Sequence, residues 1–290
     1  MHKHRVKFIT VLLISFFAYP GKAANETNQL HWTASKGTKT LFILGSIHVA
    51  NQSFYPLEPV IYKHLKSSNA LIVEVNDLES TESANYANQI SRLPKGDKIT
   101  DTLSQQDINR ATKLGERLGV PFSAFQHKKL WYYGMVMASI QSIKMGYQPQ
   151  WGIDLHMIQQ AKQNSLPIIA LETSKAQIDM IDSIPVSPSE FNLIMDDIES
   201  AQSMIIQLIN AWQIGDLNMI DELMKKSFET SPEMEDILIT QRNLNWIHRL
   251  HNLLNNYEQL FLVVGAGHLP GDQGLLNLLK MQGFNVEPSL

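Results

Sequence analysis

Phe261-Leu262-Val263-Val264-Gly265-Ala266-Gly267-His268-Leu269 is the stretch from which the rest of this chain can be read. Four apolar residues run into a glycine turn that presents one histidine, the pattern of a buried strand and the loop that leaves it. The same pattern stands 220 positions earlier, in Leu41-Phe42-Ile43-Leu44-Gly45-Ser46-Ile47-His48-Val49. Each copy is an apolar run, G-x-x-H, and another apolar residue. Two such turns at one end of one sheet would bring two imidazoles together.

Working outward from these copies, strands alternate with helices. His31 to Ala34, the turn Ser35 to Thr38, and Lys39 to Leu44 read as a hairpin. Further strands are expected at Ala70 to Val75, Pro167 to Leu171, Gln259 to Val264 and Phe284 to Glu287. Helices are expected at Pro56 to Leu65, Ser104 to Leu118, Lys128 to Lys144, Asp154 to Gln163 and Gln273 to Met281. Ser187-Pro188-Ser189-Glu190 is a capping box with proline at the first helical position. It opens a helical stretch with helices from Pro188 to Ile214, Leu217 to Phe228 and Pro232 to Asn255. The fold class is therefore α/β: a central sheet with flanking helices and a helical insertion between Pro188 and Asn255. No linker divides the chain, and residues 24–290 read as a single domain.

Residues 1–23 read as a secretory signal peptide. Lys3, Arg5 and Lys7 precede the apolar run Phe8 to Tyr19, and small residues allow a cut after Ala23. That run is shorter than the roughly 20 residues of a spanning helix. No other segment is long and apolar enough to cross a membrane, so an exported protein, periplasmic or secreted, is expected. The leader carries four basic residues and no acid, so its loss takes the formal charge from −4 to −8. An acidic mature chain has no general attraction for nucleic acid. The chain has no cysteine, which excludes disulfides and thiolate chemistry and limits metal ligands to His, Asp, Glu and backbone oxygens.

Glu74 interrupts the apolar run Leu71-Ile72-Val73-Glu74-Val75. A buried carboxylate costs several kcal/mol unless a cation or a hydrogen-bond network compensates it. His48, His268 and Glu74 around one divalent ion, with a position open for water, is the make-up of a catalytic metal site. Glu74 would be a ligand or the base that takes the proton from the water. Glu172 stands at another strand end. Asp154 begins a helix, where an aspartate is most often an N-cap. Arg242 lies in a helix, either as a surface charge or as the guanidinium that grips a substrate carboxylate or fixes Glu74. Arg242, Glu172 and Asp154 are the candidates for substrate binding or support of the site. His248 and His251 share a helical face but read as surface residues, and Trp131 to Tyr133 as core or pocket lining.

Taken in order, these residues resemble the TraB/GumN family, which includes the Tiki proteases. The matching stretches are Leu44 to Val49, Val73-Glu74-Val75, Gly152-Ile153-Asp154, Leu171-Glu172-Thr173, Arg242-Asn243-Leu244-Asn245-Trp246 and Val264 to Gly271. Ser46 departs mildly from the threonine of many members, and a second acid often found near Glu74 is absent. The resemblance implies an α/β fold related to erythromycin-esterase-like and haem-binding ChaN-like proteins. It also implies a metal-dependent protease that uses His48, His268 and Glu74 with manganese or cobalt, and zinc is a further candidate for the same ligands. An exported metallohydrolase acting on peptides is thus the leading expectation. The alternative is a binding protein without turnover, in which the same pocket holds haem, a pheromone or another small ligand. A third possibility is an ester hydrolase in which a histidine acts without metal.

Overall fold

The computed structural model describes residues 29–229 and 231–289; the proposed leader lies outside them. The expected hairpin forms from β1 (His31–Lys36) and β2 (Lys39–Ser46), closed by Gly37 at φ 59°. Helix α1 (Pro59–Ser67) leads to β3 (Ala70–Val73). Helices α2 (Thr81–Ile90), α3 (Gln105–Leu118), α4 (Leu130–Lys144) and α5 (Ile153–Gln163) precede β4 (Ile168–Ala170). Helix α6 (Ser174–Ser183) is followed by the insertion, α7 (Pro188–Ile214) and α8 (Leu217–Phe228). Next come α9 (Pro232–Glu235) and α10 (Gln241–Asn256), joined through a π-helical turn at Asp236–Thr240. The chain closes with β5 (Gln259–Gly265), α11 (Leu275–Met281) and β6 (Asn285–Pro288).

The six strands form one sheet in the order β4-β3-β5-β2-β1-β6. The first four in that order run parallel, while β1 is antiparallel to both β2 and β6. The central strands are apolar on both faces because helices cover both, so they read as unbroken hydrophobic runs. Leu41, Ile43 and Leu44 in β2, Leu71 and Ile72 in β3, and Leu260 to Leu262 in β5 have no exposed surface.

Register places the functional rim. Ser46 pairs with Gly265 across β2 and β5, and Val73 pairs with Val263 across β3 and β5. The carboxyl ends of three adjacent strands are therefore level, and the residues leaving them meet beyond one edge of the sheet. The insertion reaches the same edge. Its Trp212 indole donates to the Gly45 carbonyl at 2.7 Å. The capping box at Ser187 and Glu190 starts α7, and Gly215 at φ 70° ends it.

The expected strands and the boundaries of α7 and α8 agree with the structure. Helices α2 and α6 were not anticipated: α2 carries few apolar residues, and the stretch after Thr173 reads as the exit of a strand. Helix α6 matters, because it supplies one wall of the site.

Candidate functional site

Both G-x-x-H histidines and Glu74 converge on Gly265. A Cβ built on Gly265 would lie 3.2 Å from Glu74 Oε1, 3.6 Å from His268 Cδ2 and 3.8 Å from His48 Nε2. The absent side chain at Gly265 is what leaves room for this meeting, and its backbone amide donates to Glu74 Oε1 at 2.7 Å. The other conspicuous glycine of the motif, Gly267, has a packing role. A Cβ there would lie 2.7 Å from the Met224 methyl group, so its absence lets α8 close over the loop.

Each ring is held by its second nitrogen. His48 Nδ1 lies 2.9 Å from Asp154 Oδ2, and the Ser46 hydroxyl donates to Asp154 Oδ1 at 2.5 Å. Asp154 is thus no N-cap: Gly152 occupies that position, and no side chain caps α5. Gly152 abuts the loop instead, since a Cβ there would collide with the His48 carbonyl oxygen. His268 Nδ1 lies 2.8 Å from Asn243 Oδ1, whose amide nitrogen donates to the carbonyls of His268 and Gln273. Arg242 Nη1 donates to His268 Nε2 at 3.0 Å, which fixes the His268 proton on Nδ1. The His268 ring packs 4.4 Å from that of Trp246.

Arg242 is the hub. Its Nη2 donates to Glu74 Oε2 at 2.5 Å and to Glu172 Oε2 at 3.0 Å. Its Nε donates to Glu172, and its Nη1 to the Leu238 carbonyl as well as to His268. All five guanidinium donors are occupied, so Arg242 organises the site and has no donor left for a substrate carboxylate. Glu172 also accepts from the Trp246 indole at 2.9 Å and from Gln177 at 2.9 Å. The π-helical turn just before α10 turns the Leu238 carbonyl toward Arg242, a distortion common beside functional residues.

The charge states follow from these contacts. Burial opposes ionisation of Glu74, but Arg242 above all, with both histidines and the Gly265 amide, holds its carboxyl well below the usual range. Burial, helped by Arg242, pushes His268 down to about 3, so the ring is neutral. Asp154 pushes His48 up to about 9 against the cost of burial. The His48 side chain is 57% exposed and lines the cavity. Solvent there screens Asp154 in part, and the upward direction stands on the 2.9 Å contact. His48 Nε2 is the open nitrogen of the cluster.

The group lines the floor of a cavity of about 250 Å³. The donor types fit a divalent ion, and both rings are oriented through their far nitrogen as ligand histidines are. The arrangement does not fit one. Arg242 occupies Glu74 Oε2 and His268 Nε2, and among the described residues no group of three or more His, Asp or Glu side chains is set to hold an ion.

Every candidate residue lies at this one place: His48, Glu74, Asp154, Glu172, Arg242 and His268. His248 and His251 are exposed on α10. Sequence reasoning missed the parts played by Ser46, Gln177, Asn243 and Trp246. Asn243 had a signal, a polar residue between Arg242 and Trp246 in a helix whose apolar face must bury it; it has no exposed surface. Gln177 had none, because α6 itself was not anticipated.

A mixed sheet whose four parallel strands carry two histidines, a glutamate and an arginine at their carboxyl rim defines a class of α/β proteins with a polar, preorganised site between strand ends. The chain belongs to the TraB/PrgY/gumN family, whose profile matches residues 30–288. It is 28% identical to the uncharacterized protein YbaP of Escherichia coli (strain K12) over 266 residues, 89% of this chain and 96% of that one. It is 21% identical to the metalloprotease TIKI homolog of Nematostella vectensis, covering 90% of this chain and 67% of that protein. The metalloprotease TIKI1 of Xenopus tropicalis is 22% identical, with 91% of this chain and 62% of that protein covered.

Proposed function

We propose that this protein is a hydrolase, acting on peptides or similar carbonyl compounds at the His48, Glu74, His268 cluster. The observation that carries the proposal is the convergence of these side chains on Gly265 at the floor of a cavity. The distant similarity to proteins named metalloproteases supports the reaction class.

The chain's own groups define the roles. His48 has one nitrogen bonded to Asp154 and the other facing the cavity, the geometry of an oriented general base. In its neutral form Nε2 takes a proton from attacking water, and Asp154 stabilises the imidazolium that results. Glu74 is a poor base, since its carboxylate is held ionised by Arg242 and the Gly265 amide. It fixes the field around the reacting carbonyl instead, with the neutral His268 beside it. A metal such as manganese, cobalt or zinc would polarise the carbonyl or activate the water. Its binding here requires Arg242 to give up His268, so no step is assigned to it. Haem is less well matched, because about 250 Å³ lies below the range of sites for drug-sized ligands.

The test is turnover of peptide and ester libraries by wild type, His48→Ala and His268→Ala, with metal content measured by mass spectrometry on each. Loss of turnover in both variants is expected, and equal activity in all three would refute the assignment. A chelator that abolishes activity would show that Arg242 yields to an ion. We further propose that the chain is exported after cleavage behind Ala23. Amino-terminal sequencing of the native protein should begin at Ala24, and a native chain beginning at Met1 would overturn that.

A further inference from the structure

The cavity lining divides by chemistry into two unlike halves. One is the polar rim just described. The other is apolar and comes from four separate places: Leu78 after β3, Met180 and Ile181 of α6, Met224 of α8, and Leu238 and Ile239 of the π-helical turn. Met224, Leu238 and Ile239 are buried, whereas Leu78, at the mouth, is 44% exposed. Arg242 and Glu74 on the rim have no capacity left for a side chain lodged there. The five donors of Arg242 are taken, and each Glu74 oxygen already accepts a hydrogen bond. A cationic side chain entering the apolar half would lose its water and find no free carboxylate, and an anionic one would lose its water against an apolar wall while the one uncommitted cation, His48, belongs to the polar rim.

We infer that the apolar half is a specificity pocket for one uncharged aliphatic side chain, of the size of leucine or methionine, next to the bond presented to His48. The inference rests on the hydrolase reading for the word "bond", but the pocket itself is independent of turnover. About 250 Å³ accommodates one side chain with its adjoining amide rather than a long segment. Two methionines in the wall suit a family of aliphatic shapes, because the thioether chain adapts where a branched residue cannot. Each methylene that fills such a pocket is worth about 10–200-fold in discrimination. Leucine and methionine should therefore exceed alanine by that factor or more, and lysine and glutamate should be rejected.

The test uses the full protein with carbon-13 methionine methyl groups and four probes: the N-acetyl amides of leucine, alanine, lysine and glutamate. Assignment comes from Met180→Leu and Met224→Leu. The leucine probe should shift the Met180 and Met224 signals at a concentration at least tenfold below that of the alanine probe, and the charged probes should leave them in place. Leu78→Asp, a change at the exposed mouth that spares the fold, should weaken the leucine probe and admit the lysine probe. Shifts by the lysine or glutamate probe at equal concentration, or no shift by leucine, would overturn the inference. Selective binding without any library turnover would keep the pocket and discard the hydrolase. Turnover without side-chain preference would do the reverse.

Discussion

Arg242 shows what one residue must do when two acids are buried side by side. Glu74 and Glu172 are 9% and 18% exposed in their side chains, and both lean on the same guanidinium. Arg242→Ala should cost about 3–5 kcal/mol, because it strands two carboxylates rather than merely deleting a contact. Urea denaturation measures this, and an unchanged midpoint would contradict it. Arg242→Lys should recover only part, since three ammonium donors cannot replace five in a planar fork. His48 makes a prediction of opposite character. Its folded proton affinity is raised by Asp154, so the neutral base is scarce at neutral pH and kcat/KM should climb as pH rises toward about 9. Asp154→Asn should move that rise toward the ordinary histidine range, about 6.5. A profile that is flat between pH 6 and 9 would show that His48 is not the base.

At the scale of elements, most of what positions the site was legible, for a physical reason. The strands β2, β3 and β5 are covered on both faces, so their sequences are nearly pure hydrophobe and stand out from the rest. Their parallel neighbours and level ends made the G-x-x-H turns meet. Helix α6 left no such trace: none of its residues is fully buried, so its sequence carries no strong apolar stripe. Asp154, a candidate for support of the site, shows a related limit of local reading. An aspartate near a helix start is locally an N-cap, and only the loop packed against Gly152 turns it toward His48 instead. Strand β1 holds a further histidine that no sequence argument singled out. His31 is buried against Phe261, and its Nδ1 has no hydrogen-bond partner. Burial, with His64 nearby, lowers it to about 3. The unfolded chain binds a proton below about pH 6.5 while folded His31 does not. Stability due to this residue is therefore complete above that pH and falls by about 1.4 kcal/mol per pH unit down to about 3. His31→Phe should flatten the acid side of the stability curve by that slope. An unaltered slope would mean that His31 stays protonated in the fold.

For the molecule as a whole, one side of the sheet is finished by the first and last described strands. Strand β6 pairs with β1, and the Ser289 hydroxyl lies 2.6 Å from that of Thr33. Truncation after Gly283 would strip this cover and leave β1 as an open edge, where another chain can add. Such a chain should run as higher oligomers in size-exclusion chromatography, and a well-behaved monomer would argue that β6 is dispensable.

The slot between β3 and β2 belongs to β5, the fifth strand to be made. While the ribosome is still at work, the two halves of the sheet lack their centrepiece, and His268 has not been synthesised. Contacts spanning 220 positions form late, since long loops must close first. A nascent chain consequently lacks the assembled site almost until its release.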